Sequence, residues 1–128
     1  MKLKKKITAL IVCASVMVSS SSVFAADSGT WSLSATPYTG ATPKQIVLDY
    51  CSNGYTAKIT SKSGNSPLNT VTIVSDSHSA GTVAQISEVN VSTPIDKPTD
   101  SNAIVTFTVS LSWTSGYAAG NNGTIARK

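Results

Sequence analysis

Eleven residues at positions 103–113, AIVTFTVSLSW, alternate between two chemistries. Val105, Phe107, Val109, Leu111 and Trp113 fall on one side, and Thr106, Thr108, Ser110 and Ser112 on the other. A period of two belongs to a β-strand with one face in a core and one in water, whereas a helix needs 3.6. The rest of the chain offers no rival helical period. It is rich in Ser, Thr and Val and is cut at short intervals by Gly, Pro, Asn and Asp. That composition favours strands and turns.

Further strands are expected at 30–35, 45–51, 55–60, 70–75 and 82–91. Connections are expected at 61–67, 76–81 and 92–102, the last carrying Pro94 and Pro98. Six or seven short strands at this spacing predict an all-β fold, a small antiparallel β-sandwich. Immunoglobulin-like architecture is one form of it, although the Cys…Trp…Cys core pattern is absent. A small open β-barrel is the second choice. No repeat or linker divides the chain after residue 25, so 26–128 reads as one domain.

One pairing register can be written from the sequence. Asn53-Gly54 between two strand-like runs fits a type I′ hairpin turn. A two-residue loop would set Asp49 opposite Lys58 and Leu48 opposite Ile59. Charges then meet on one face and apolar groups on the other.

The amino terminus has a different character. Lys2, Lys4, Lys5 and Lys6 precede an apolar run at 7–18, then serines, then Val23-Phe24-Ala25-Ala26. These are the parts of a secretory signal in order, so residues 1–25 are expected to be cleaved after Ala25 and the product secreted. Twelve apolar residues would rise only about 18 Å as a helix, short of a hydrocarbon core of about 30 Å. Val12 before Cys13 also departs from a lipobox, which wants a small residue there. The lysine-rich start reads as bacterial, which makes the glycosylation sequons at Asn90 and Asn122 incidental.

Taking off residues 1–25 changes the whole-chain numbers. The formal charge of +4 rests on the four leading lysines. What is left carries Lys44, Lys58, Lys62, Lys97, Arg127 and Lys128 against Asp27, Asp49, Asp76, Glu88, Asp96 and Asp100, and is neutral. The clustered positive charge of a nucleic-acid binder is missing, and no later run is long enough for a transmembrane helix. Cys13 leaves as well, so Cys51 has no partner for an internal disulfide.

Candidate chemistry is sparse. Cys51 and His78 together suggest a small hydrolase, but a nucleophile needs a base and an orienting group around it. Asp49-Tyr50-Cys51-Ser52 resembles the Asp-Cys-Ser motif of secreted cell-wall peptidases only in part, because Tyr50 intervenes and a turn follows. Ser75, Asp76 and His78 hold the ingredients of a triad within one loop, where neighbours cannot adopt triad geometry among themselves. With one histidine, multi-histidine metal sites are excluded. Asp96, Asp100 and Asn102 lack the spaced pattern of a calcium loop. No metal or other cofactor is expected, and no catalytic residue.

Trp113 and Tyr117, with Gly120-Asn121-Asn122-Gly123 after them, are the most suggestive binding patch, since rings stack on sugars or grip a protein partner. The alternation nevertheless puts Trp113 with Phe107 and Leu111 on the core side. The expected function is a secreted, non-enzymatic β-domain acting as a binding or cell-envelope interaction module, with a protein or glycan partner. A small membrane-active toxin or bacteriocin is the second expectation, resting on the amphipathic strand. A hydrolase using Cys51 or His78 is the third.

Overall fold

The structure, a computed structural model, describes residues 26–101 and 103–128. The expected signal at 1–25 lies outside the described residues. Eight strands follow in order: β1 (Ser28–Ala35), β2 (Lys44–Asp49), β3 (Tyr55–Gly64), β4 (Asn69–Ser75), β5 (Thr82–Ile86), β6 (Thr93–Ile95), β7 (Ile104–Trp113) and β8 (Ala119–Arg127). No helix occurs among the described residues, and all the strand pairs are antiparallel.

The strands form two four-stranded sheets, ordered β1-β8-β3-β6 and β2-β7-β4-β5. The fold is thus the expected small β-sandwich. Its strand order is not the ABED and CFG arrangement of immunoglobulin domains. Every connection but β4–β5 crosses between the sheets, and the order is that of an eight-strand jelly roll. Such a frame hosts unrelated functions, so function has to be argued from its loops.

The alternating run behaves as its pattern requires. On β7, Val105, Phe107, Val109 and Leu111 are buried, with Thr106, Thr108 and Ser110 half-buried and Ser112 exposed on the other face. They pack against Ile46 and Leu48 of β2, Val71 and Ile73 of β4, and Trp31, Tyr55, Ile59 and Ile125 of the facing sheet. Burying each large side chain of this kind stabilises the fold by about 1.5–3 kcal/mol. The apolar stripe that suggested a membrane-inserting hairpin is therefore occupied by the core.

The hairpin expected at Asn53-Gly54 is not formed. β2 pairs with β7, while β3 lies in the other sheet between β8 and β6. Gly54 has φ +84° but Asn53 is not left-handed, whereas a type I′ turn needs both. Gly54 N donates to Cys51 O, closing a turn that carries the chain from one sheet to the other. Leu48 and Ile59 do share an environment, but they face one core from opposite sheets. The apolar match was real and the pairing was not.

This crossing is held by Tyr55. Its hydroxyl donates to Asp49 O at 2.8 Å and accepts from Cys51 N at 3.0 Å. A tyrosine at a strand start bonding back to upstream backbone is the tyrosine-corner device of β-sandwiches.

Two strands arise where none was expected. β6 falls inside the presumed connection 92–102 and carries Pro94; it is an edge strand, where a missing N–H is tolerated. β8 contains the Gly-Asn-Asn-Gly stretch read as part of a binding patch, yet it lies inside its sheet, between β1 and β3.

Strand directions sort the connections into two ends. Segments 36–43, 65–68 and 114–118 meet at one end, and 87–92 leaves β5 on that side and runs back along β3 to β6. Segments 50–54, 76–81 and 96–101 meet at the other, beside residues 26 and 128.

Candidate functional site

Three aromatic residues collect at the first end. Trp113 closes β7 and is half-buried, packed against the core as its place in the alternation implies. Gly40 lies over its ring, so that a Cβ there would approach Trp113 Cη2 to 2.6 Å. The indole nitrogen is buried and has no hydrogen-bond partner. Trp113 therefore supports the 36–43 loop, with Gly40 seated against its ring. Tyr117 is 41% exposed and Tyr38 is 94% exposed.

Tyr38 was missed in the sequence because Thr36-Pro37-Tyr38-Thr39-Gly40 reads only as a turn. The surrounding Thr, Pro and Gly were the available signal, since such residues place a ring at a loop tip. Asn121, by contrast, was read as a candidate and is fully buried. Its side chain accepts from Trp31 Nε1 and donates to Asn69 Oδ1, both at 2.9 Å.

The tips carrying the two tyrosines are tied down. Thr36 N donates to Thr39 O, and the amides of Tyr38 and Thr39 both donate to Thr36 Oγ1 at 3.2 and 3.0 Å. Gly116 N donates to Pro37 O at 3.0 Å, joining the Tyr38 turn to the Tyr117 turn. Asn65 and Ser66 donate their amides to Ala118 O, and Ser66 Oγ accepts from Thr114 N. Backbone order at these tips lowers the entropy that a ligand would otherwise have to remove. None of 36–43, 65–68 and 114–118 contains a charged residue or histidine.

Charge gathers at the second end, where Asp49, Asp76, Asp96, Lys97, Asp100, Arg127 and Lys128 all lie. An open cleft of about 780 Å³ there is lined by residues including Asn53, His78, Lys97, Thr99 and Lys128. His78 Nδ1 is 2.6 Å from Ser75 Oγ, and Nε2 is 2.8 Å from Asp96 O. Ser75 Oγ also accepts from Ser77 N. With the hydroxyl donating to Nδ1 and Nε2–H donating to Asp96 O, every group has a role and the 76–81 loop is pinned to residue 96. Asp76 serves instead as acceptor for Thr106 N and Ser77 Oγ.

Cys51 is buried at the same end, and its thiol donates to Lys128 O at 3.5 Å rather than to His78. Burial pushes the thiol up, but the Asn53 backbone and the Arg127 guanidinium outweigh it and hold its pKa below the ordinary value. The Tyr55 phenol is pushed up, chiefly by burial. Asp27 faces Arg127 at 2.5 Å and raises the guanidinium pKa. The two hydrolase candidates therefore sit at one end without forming a nucleophile–base pair.

Among the described residues no three His, Cys, Asp or Glu side chains group as a metal site would require, and no helix is long and apolar enough to cross a membrane. Asn102 lies outside the described residues. Comparison with known protein families, curated proteins and solved structures finds no match to this chain.

Proposed function

We propose that this chain is exported and acts outside the cell as a non-enzymatic binding or cell-envelope interaction module, making contact through the end that carries Tyr38 and Tyr117. The observation that carries this reading is the exposure of both rings on turns held to each other by the Gly116–Pro37 hydrogen bond. Exposed single apolar residues are ordinary on any surface. Two tyrosines on neighbouring, hydrogen-bonded tips offer large contact area at low entropic cost, which is how aromatic anchors work at interfaces.

Export rests on the pattern of residues 1–25. Expression of the full-length chain in a bacterial host, with amino-terminal sequencing of the product in the medium, tests it; the first residue should be Ala26. The exported product is then mixed with cell-envelope fractions beside a Tyr38→Ala/Tyr117→Ala variant. Wild type should sediment with the envelope and the variant should stay in solution. Equal sedimentation of the two would remove the aromatic end from the reading.

A further inference from the structure

We infer that the aromatic end binds a neutral glycan, an uncharged polysaccharide whose sugar rings lie against Tyr38 and Tyr117. This rests on the contact surface proposed above and names its ligand class. Three features point to it.

The first is the distribution of charge. Segments 36–43, 65–68 and 114–118 lack Lys, Arg, Asp, Glu and His altogether, although the chain has twelve charged residues after position 25. Glu88 lies off these tips in the 87–92 connection, which runs alongside β3. Lys44 starts β2 next to this end, and Lys62 is engaged with Ser87 O at 2.5 Å. A site for an anionic polymer such as nucleic acid or a polyphosphate draws on clustered cations, and one for a basic partner on clustered acids. Neither cluster is present on these tips.

The second is the mixture that replaces charge. Thr36, Thr39, Thr42, Asn65, Thr114 and Ser115 lie on the same three segments as the rings and bring hydroxyls and amides to this end. Sugars present weakly apolar C–H faces and a rim of hydroxyls. A ring face with uncharged donors and acceptors beside it matches both, and neutral polar groups cost less to desolvate than ions.

The third is order. Thr36 gathers three hydrogen bonds in its turn, from the amides of Tyr38 and Thr39 and with Thr39 Oγ1 at 2.6 Å. Trp113 beneath Gly40 backs the same loop. Polysaccharides bind weakly per sugar, so a platform already in place favours them over a ligand that must first order the loop.

The test uses the exported chain and a panel of soluble polymers: neutral glucan, mannan and galactan, an anionic polyuronate, and a solubilised protein fraction of the envelope. Affinity electrophoresis and calorimetry are run at 0.1 and 0.5 M NaCl. At least one neutral glycan should retard the chain, with affinity changing less than twofold between the salts because no ion pair is formed. Tyr38→Ala and Tyr117→Ala should each weaken it about tenfold. Retardation only by the polyuronate, lost at high salt, would overturn the neutral-glycan assignment. So would binding only to the protein fraction that both substitutions abolish, although that outcome would leave the aromatic contact surface standing. Neutral-glycan binding unaffected by either substitution would overturn both.

Discussion

The indole nitrogen of Trp31 donates to the side-chain oxygen of Asn121 at 2.9 Å, joining residues ninety positions apart in the buried interior. Asn121 Nδ2 then donates to Asn69 Oδ1, and Asn69 Nδ2 donates to Ser63 O and Gly120 O. This chain of bonds links β1, β8, β4 and β3 through groups that would otherwise be buried without partners. Gly123 completes it, because a Cβ there would enter the Trp31 ring.

Trp31→Phe should therefore cost about 1–3 kcal/mol beyond its change in volume, since Asn121 Oδ1 is left unpaired. The double substitution Trp31→Phe with Asn121→Leu should cost less than the two single losses added together. Urea unfolding of the four proteins gives the coupling directly. Strict additivity would show that the bond is not felt in stability.

Gly123→Ala should be more damaging than Gly116→Ala in space-filling terms, since nothing lies within 4 Å of a Cβ at Gly116 and only its φ of +92° opposes substitution. Thermal unfolding of both variants checks the order. A smaller loss at Gly123 would mean that Trp31 can move aside.

β7 was legible because its stability logic is local: alternate residues suffice to define a strand and its buried face. β8 was not. Its Ala-Gly-Asn-Asn-Gly start is poor in strand formers, and only Trp31, Asn69 and the flanking strands make it the strand between β1 and β3. The Asn53-Gly54 turn misled for a related reason. Local turn chemistry was satisfied at Gly54, while the choice between hairpin and sheet crossing belongs to the core. At the candidate site, Tyr117 and Trp113 were visible as an aromatic pair. Trp113 is propped under Gly40, and Tyr38, brought over by the Gly116–Pro37 bond, could not be placed beside Tyr117 from spacing alone.

Tyr55 and Cys51 give opposite pH signatures. The phenol is raised in the fold, so its contribution is complete below its unfolded value near 10 and is lost as pH rises through the folded pKa. The thiol is lowered, so its contribution is present above its unfolded value and is lost as pH falls through the folded pKa. Urea midpoints of wild type, Tyr55→Phe and Cys51→Ser from pH 7 to 11 separate them. Tyr55→Phe should lose about 1–3 kcal/mol at neutral pH, by stranding Asp49 O and Cys51 N, and should flatten the alkaline fall. An unchanged alkaline slope would place the titrating group elsewhere.

His78→Ala should loosen the pinned loops without altering the aromatic end. Thr99 N and Asp100 N donate to Ser77 O, so their amides should exchange about tenfold faster once the contacts to Ser75 and Asp96 are gone. Gly116 N should be unaffected. Equal acceleration at both ends would mean that the sandwich opens as one unit.

Tyr38→Ala should leave stability within about 0.5 kcal/mol of wild type, its ring being 94% exposed. Phe107→Ala, in the core, should cost about 3–5 kcal/mol. A large loss at Tyr38 would give that ring a structural task and weaken its assignment to binding.

The most direct test is amide chemical-shift mapping of the exported chain titrated with the neutral glycan that retards it. Shifts should concentrate at Tyr38, Thr39, Gly116 and Tyr117, with the Asn53, His78 and Lys97 cleft silent. Shifts clustered in that cleft, or none on the two tyrosine tips, would contradict binding through the aromatic end.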